Sequence, residues 1–249
     1  TLARFAQEDR DMLQTAEVRS FSDESIPDPQ GNVHWFQAEK LPLGSIDGQR
    51  GHLLVVSTDI TRRKAAEEAL HKRDLLLRAV AEATSHLLTS TDYAASVKQA
   101  LAALGKAADV DRICVFENHT DQATGEPLFS QRFTWTRAEA LPQVDAAKLQ
   151  NIPYLPNLAV WHTKLAAGNP LEGIAREFPL SERAWFKLQG TLSTLVMPIM
   201  IDGKFWGFIG FDDCQSEQTW LDSTRSILTT VASSLGGAIA RQKIANQLR

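Results

Sequence analysis

The chain has 249 residues, of which 43% are apolar and 22% charged, with a net charge of −4. That is enough apolar material for one large core or two modest ones, and the balance excludes a protein built to blanket nucleic acid. Cys114 and Cys214 stand far apart and belong to no CxxC or Cys/His cluster. This argues against a disulfide scaffold and a zinc site, and fits a reducing, cytoplasmic compartment.

Residues 1–14 have a helical pattern, and residues 26–32 (IPDPQGN) are rich in turn formers. Residues 33–41 (VHWFQAEKL) predict a strand, and residues 52–57 (HLLVVS) a second, more buried one. The glycines of residues 42–51 join them as an antiparallel hairpin. A helix then runs from Arg62 to about Leu88, with Thr61 as its N-cap. Along it Ala66, Leu70, Arg73, Leu77, Val80, Thr84 and Leu87 recur in a 4-3 rhythm. That seam, flawed at Arg73, suits a partner helix or a neighbouring domain. An ordinary amphipathic helix packed on its own domain remains an equal reading of its second half.

Thr91 and Asp92 cap the next helix, at 93–108, with Ala94, Val97, Leu101 and Leu104 on one face. Strands follow at 111–117 and 128–136, then an irregular stretch at 137–157. Short helices are expected at 158–167, ended by Gly168, and at 180–188, with Ser181 as cap. Two strong strands, 193–201 and 204–211, flank Asp202 and Gly203, a type I′ hairpin pair. The last helix is expected from Gln218 to Leu248, with Leu228, Val231, Leu235 and Ile239 as its apolar stripe. Helices bracketing a mostly antiparallel sheet make an α+β fold. No apolar run reaches the length of a membrane span. The chain opens on Thr1 without a signal peptide and is expected to be a piece of a longer polypeptide.

Residues 33–70, with the tripeptide Asp59, Ile60, Thr61 followed by a basic and then acidic helix, resemble the C-terminal motif of PAS domains. Residues 72–242 resemble a GAF domain, above all in 195–214 (LVMPIMIDGKFWGFIGFDDC) and in 112–118 (RICVFEN). The resemblance implies a partial PAS domain at 1–61, a signalling helix at 62–88, a GAF domain at 72–242 and the start of an output helix at 243–249. It also implies a sensory and relay role upstream of an output such as a histidine kinase or diguanylate cyclase, in a homodimer, with no catalysis in this stretch; a small-molecule receptor built on the GAF pocket and a passive dimerisation spacer are the alternative readings. In the family the Asp-Ile-Thr tripeptide marks the junction between sheet and signalling helix.

Asp59 and Thr61 are therefore the candidate relay residues, since side chains there can bond to the backbone on both sides of the junction. Leu70, Leu77, Val80, Leu87, Leu228, Val231 and Leu235 are candidates for a dimer seam. A GAF-type pocket over the sheet, under residues 137–190, would be lined by Phe133, Trp135, Trp161, Phe178, Trp185, Phe186, Met197, Ile199 and Phe208. The same aromatics would equally close a core. No cofactor is identified. Neither cysteine resembles a bilin attachment site, and the lone histidines His119 and His162 are poor grounds for haem, so neither group is expected. Asp212 and Asp213 are adjacent in a strand and read as a solvated strand end rather than a cation site. Ser85 and His86 lack the surroundings of a phosphoacceptor box, and no catalytic constellation is present.

Overall fold

The computed structural model describes residues 7, 19–43, 52–89, 92–137 and 145–247. Apart from Gln7, the helical pattern expected at 1–14 lies outside the described residues, as do residues 44–51 of the hairpin connection. The chain divides into two compact units, Thr1–His71 and Lys72–Arg249.

In the first unit β1 (Arg19–Pro27), β2 (Val33–Leu43) and β3 (His52–Asp59) form an antiparallel sheet in that order. The pairing of β2 with β3 agrees with the expected hairpin, in the register Phe36 to Asp59 through Leu43 to His52. β1 was not legible as a strand. Its polar residues pair with β2 across a one-residue bulge between Phe21 and Glu24, which breaks the alternation that marks a strand. Asp28 shapes the β1–β2 turn by accepting from the amides of Gln30 and Asn32. β3 is not the buried strand expected: Leu54, Val55 and Val56 are each about half exposed.

Helix α1 (Thr61–Thr89) follows β3 after a single residue, Ile60, which is buried. Its later residues Leu76, Val80, Ala83 and Leu87 belong to the core of the second unit.

That unit is an antiparallel sheet of β4 (Arg112–Thr120), β5 (Pro127–Thr136), β6 (Ile152–Pro153), β7 (Leu171–Ile174), β8 (Ser193–Ile201) and β9 (Lys204–Asp213), in the order β6-β5-β4-β9-β8-β7. Its helices are α2 (Tyr93–Ala107), α3 (Ala159–Ala166), α4 (Leu180–Gln189) and α5 (Asp222–Gln247). The fold is α+β, as the pattern of elements requires. Asp92 caps α2 by accepting from the Ala95 amide at 3.0 Å, which satisfies one of the amides a helix start leaves free. Ala94, expected on the buried face, is exposed. Asp202 and Gly203 both have positive φ, 50° and 73°, as a type I′ turn demands. Ser181 does not cap α4: Pro179 holds the N-cap position and no side chain bonds the first turn. α5 starts at Asp222 rather than Gln218, where the amides of residues 214–216 and of Gln218 bond to the side chains of Asp111, Asp213 and Ser193 instead.

The sheet separates two apolar cores. On one face α1, α2 and α5 cover Ile113, Val115, Leu195, Met197, Ile199, Ile209 and Phe211. Leu228, Val231 and Leu235 are nearly inaccessible there. On the other face α3 and α4 cover Cys114, Phe116, Phe129, Val196 and Phe208.

Candidate functional site

Two regions hold the residues singled out in the sequence. The first is the junction within unit Thr1–His71. The Trp35 amide donates to Thr61 Oγ1 at 2.9 Å, and the Trp35 carbonyl accepts from the Ile60 amide at 2.8 Å. The Thr61 amide donates to Asp59 Oδ1 at 2.9 Å. Hydrogen bonding from Thr61, through hydroxyl and amide, holds the Asp59 carboxyl below its ordinary pKa. Thr61 is thus not the expected N-cap. Its hydroxyl faces strand β2 instead of the first-turn amides, so β2, the end of β3 and the start of α1 converge on one residue.

Three further groups at this junction went unnoticed in the sequence. The Lys64 ammonium pairs with Asp23 of β1 and stands 5.5 Å from the Trp35 ring centroid, within the range of a cation–π contact. Arg63 lies 3.6 Å from Asp23 and donates to Gln37 Oε1 at 3.4 Å. Trp35 was quoted in the motif; its partnership with Thr61 was not, because a backbone amide carries no mark in a sequence.

The second region is the α3–α4 face of the large sheet. Of the nine expected pocket residues only Trp161, Phe178, Trp185, Phe186 and Phe208 lie there. Phe133, Trp135, Met197 and Ile199 belong to the opposite core. Part of the reason is a bulge: Val115 pairs with Phe133 but Phe116 pairs with Gln131, so β5 carries one extra residue at Arg132. Side chains alternate across a strand, and one extra residue reverses which face they meet. Phe129 therefore shares the α3–α4 face while Phe133 and Trp135 do not.

Of the five that lie there, Trp161 packs against Phe178, Phe186 and Phe208, and Trp185 packs edge-on to Phe116 and Phe129. Trp161 is 1% exposed and Phe208 1%, and Phe116 stacks on Phe208 at 4.8 Å between centroids. Trp161 Nε1 donates to Glu182 Oε2 at 2.9 Å, and Glu182 is 4% exposed. The Tyr154 hydroxyl donates to Asn118 Oδ1 at 2.7 Å, and burial pushes the Tyr154 pKa up. Glu182 escaped notice, although it shares a helix face with Phe186 and Gln189 at the 3–4 spacing that marks a buried stripe. A cleft of about 310 Å³ runs between α4 and residues 152–158, lined by Pro153, Leu155, Pro156, Ala184, Trp185 and Leu188 among others.

Cys114 is buried in β4, where burial pushes its thiol up to about 11. Burial likewise raises Cys214 to about 12. His119 meets Ser130 Oγ at 2.8 Å, and His162 packs its ring edge on Tyr154. Asp212 and Asp213 are not a solvated strand end. Both are 7% exposed, and Asp212 pairs with Arg112 at 2.9 Å. Among the described residues no group of three or more His, Cys, Asp or Glu is placed to hold a metal ion, and no helix is long and apolar enough to cross a membrane.

The expected seam divides in the same way. Val80, Leu87, Leu228, Val231 and Leu235 are core residues of the second unit, so they are not free to form a seam with another copy. Leu70 and Leu77 are exposed, at 60% and 44%.

The GAF domain model matches residues 92–239, and the PAS fold model matches residues 2–65. The chain belongs to the GAF domain family. The methanogenesis regulatory histidine kinase FilI of Methanothrix harundinacea is 39% identical over 213 residues, covering 86% of this chain and 24% of that protein. This chain therefore spans about a quarter of the length of that curated relative. Among solved structures, a phycoerythrobilin-bound GAF domain from a cyanobacterial phytochrome aligns with a TM-score of 0.54 and 14% identity, over 70% of this chain and 96% of that one. The GAF domain of a phosphoenolpyruvate-protein phosphotransferase from Coxiella burnetii gives 0.53 and 14%, over 70% and 98%. At such identity these two establish the fold alone. PAS and GAF modules are sensory rather than catalytic, and this chain is a PAS and GAF sensory module related to a histidine kinase.

Proposed function

We propose that the module relays a signal from its PAS unit, through α1, to the GAF domain and on through α5 to an output domain of the same polypeptide. The observation that carries this reading is the convergence on Thr61: it accepts from the Trp35 amide, donates its own amide to Asp59, and is the first residue of a 29-residue helix. A displacement of β2 against β3 changes the hydrogen bonds that fix the first turn of that helix. The last turns of the same helix supply Ala83 and Leu87 to the GAF core. A two-state helical element needs only a small differential free energy to shift its populations. The output is a kinase by analogy with the relative, and the module works as a cytoplasmic homodimer joined in part by Leu70 and Leu77.

A covalent bilin does not fit these residues. A thiol inside a packed strand, with its pKa raised, is a poor nucleophile, which describes Cys114. The packed aromatic face favours relay over reception of a large ligand.

The test is output regulation in the full-length protein carrying Asp59→Ala and Thr61→Val. Autophosphorylation that no longer responds to the upstream stimulus, with the chain still folded by circular dichroism, is the expected result. Unchanged regulation in both variants reduces the junction to a passive spacer. Light scattering tests the assembly: a strict monomer at high concentration removes the dimer.

A further inference from the structure

We infer that Arg112 is a positioning residue that couples the seat of α4 to the segment leading into α5. Arg112 opens β4, and its side chain is 6% exposed. Its guanidinium has three destinations. Nε and Nη2 donate to Asp212 Oδ2 at 3.2 and 2.9 Å, Nη1 donates to the Gln189 carbonyl at 2.9 Å, and Nη2 donates to Thr191 Oγ1 at 2.7 Å. Gln189 is the last residue of α4, and Gly190 then turns the chain with a φ of 66°. The carbonyls of a last helical turn lack partners within the helix and carry the negative end of its dipole. A cation supplied from the sheet satisfies one of them, so Arg112 fixes where α4 ends.

The other side of the pair faces the route to α5. Asp212 lies opposite both Arg112 and Thr194 in the sheet register, and its Oδ1 accepts from Thr194 Oγ1 at 2.7 Å. The two neighbouring carboxylates grip the chain that leaves β9. Asp111 accepts from the amides of Cys214 and Gln215 at 2.9 and 3.0 Å, and Asp213 accepts from the amides of Gln215 and Ser216 at 3.0 and 2.9 Å. Arg176 then holds Glu217 with two bonds, at 2.8 and 3.0 Å. α5 begins at Asp222. One row of strand-end residues therefore fixes both the end of α4 and the start of the path to α5.

A cleft of about 310 Å³ lies beside α4, lined by its Ser181, Ala184, Trp185 and Leu188, and gives the direction of the shift inferred for the helix. A fork of N–H donors at fixed angles cannot follow such a shift and keep all its acceptors. Displacing α4 pulls Arg112 against Asp212, and with it the strand end that carries Asp213. Movement of α4 and loosening of residues 214–221 are then one event. The inference supplements the relay reading with a second input, but its test stands apart from output regulation.

The experiment is hydrogen–deuterium exchange by mass spectrometry on the 249-residue chain and on Thr191→Val and Arg112→Lys variants. Thr191→Val keeps the side-chain shape and the ion pair while removing one acceptor. Residues 186–191 and 214–221 are expected to exchange faster together, by roughly ten-fold, the scale of one lost charge-assisted bond, while α2 keeps its rate. Arg112→Lys is expected to give the same pattern, enlarged. Faster exchange confined to 186–191 overturns the coupling, since the amides of 214–216 bond to Asp111 and Asp213 and not to Thr191. Uniformly faster exchange in Thr191→Val, α2 included, also overturns it, because Arg112 would then serve only overall stability. If Arg112→Lys does not fold, Thr191→Val alone decides. Loss of stimulus regulation at Asp59 and Thr61 would leave this result unaffected, so the two readings fail separately.

Discussion

Replacing Trp161 by Phe tests whether the aromatic face of the GAF sheet is held by one specific polar contact or by volume alone. Trp161 is 1% exposed, and its indole N–H donates to a carboxylate that is itself 4% exposed. Phe keeps a ring in place but removes the donor. Losing a hydrogen bond to a charged group costs about 1.5–3 kcal/mol. The smaller ring leaves a partial void, adding roughly 1 kcal/mol. The sum is about 3 kcal/mol, which for a domain of this size lowers the unfolding temperature by roughly 6–12 °C. Glu182→Met removes the acceptor, leaves the buried indole N–H without a partner, and is expected to cost about 1–3 kcal/mol. Far-UV circular dichroism is the right probe, because it does not depend on which indoles remain. The double variant closes a cycle whose coupling term isolates the bond. If the two single costs add to within about 0.5 kcal/mol, the indole–carboxylate bond contributes nothing, and packing alone seats α3 against α4.

Gly207→Ala should prevent the sheet from closing, since a Cβ there would stand 2.0 Å from the Phe116 carbonyl oxygen of the neighbouring strand. A cost of about 3 kcal/mol or more is expected by urea denaturation. Gly210→Ala in the same strand, with nothing nearer than 4.0 Å, should be tolerated. Acid should loosen the strand-end cluster. Burial alone would raise the Asp111 pKa, but the Cys214 amide, Asp213 and Gln215 outweigh it and hold the pKa below its ordinary value. A carboxyl with a lowered folded-state pKa stabilises the fold fully above its unfolded value, near about 4, and loses that contribution as pH falls through the folded value. Asp111→Asn should therefore lower stability at neutral pH and flatten the acid limb of a stability profile; an unchanged acid limb would refute the assignment.

Much of what was legible in the sequence is encoded within a few residues, although the local cap readings at Thr61 and Ser181 failed. The Asp202–Gly203 turn, the Asp92 cap and the alternation of β8 and β9 depend on local chemistry, and each appears in the structure. What was not legible depended on phase. α1 carries three consecutive leucines, Leu75, Leu76 and Leu77, so its pattern fits more than one stripe. The structure buries Leu76 and leaves Leu75 and Leu77 exposed, at 45% and 44%. The extra residue in β5 likewise sends Phe129 and Phe133 to opposite cores although both have odd numbers.

The residues that link segments were hidden for a different reason. Arg112 with Asp212, Trp161 with Glu182 and Trp35 with Thr61 are each brought together only by tertiary contact. In all three a polar group on one element satisfies a group at the end or on the buried face of another. Buried polar groups without partners are costly, so these contacts set where each helix can sit more narrowly than apolar packing does. A sensory module has to hold its helices in few discrete seats if a small bias is to move it between them. The polar pairs at the ends of β3, β4 and β9 are therefore the places where such a bias should be sought, ahead of the aromatic core, whose volume tolerates change more evenly.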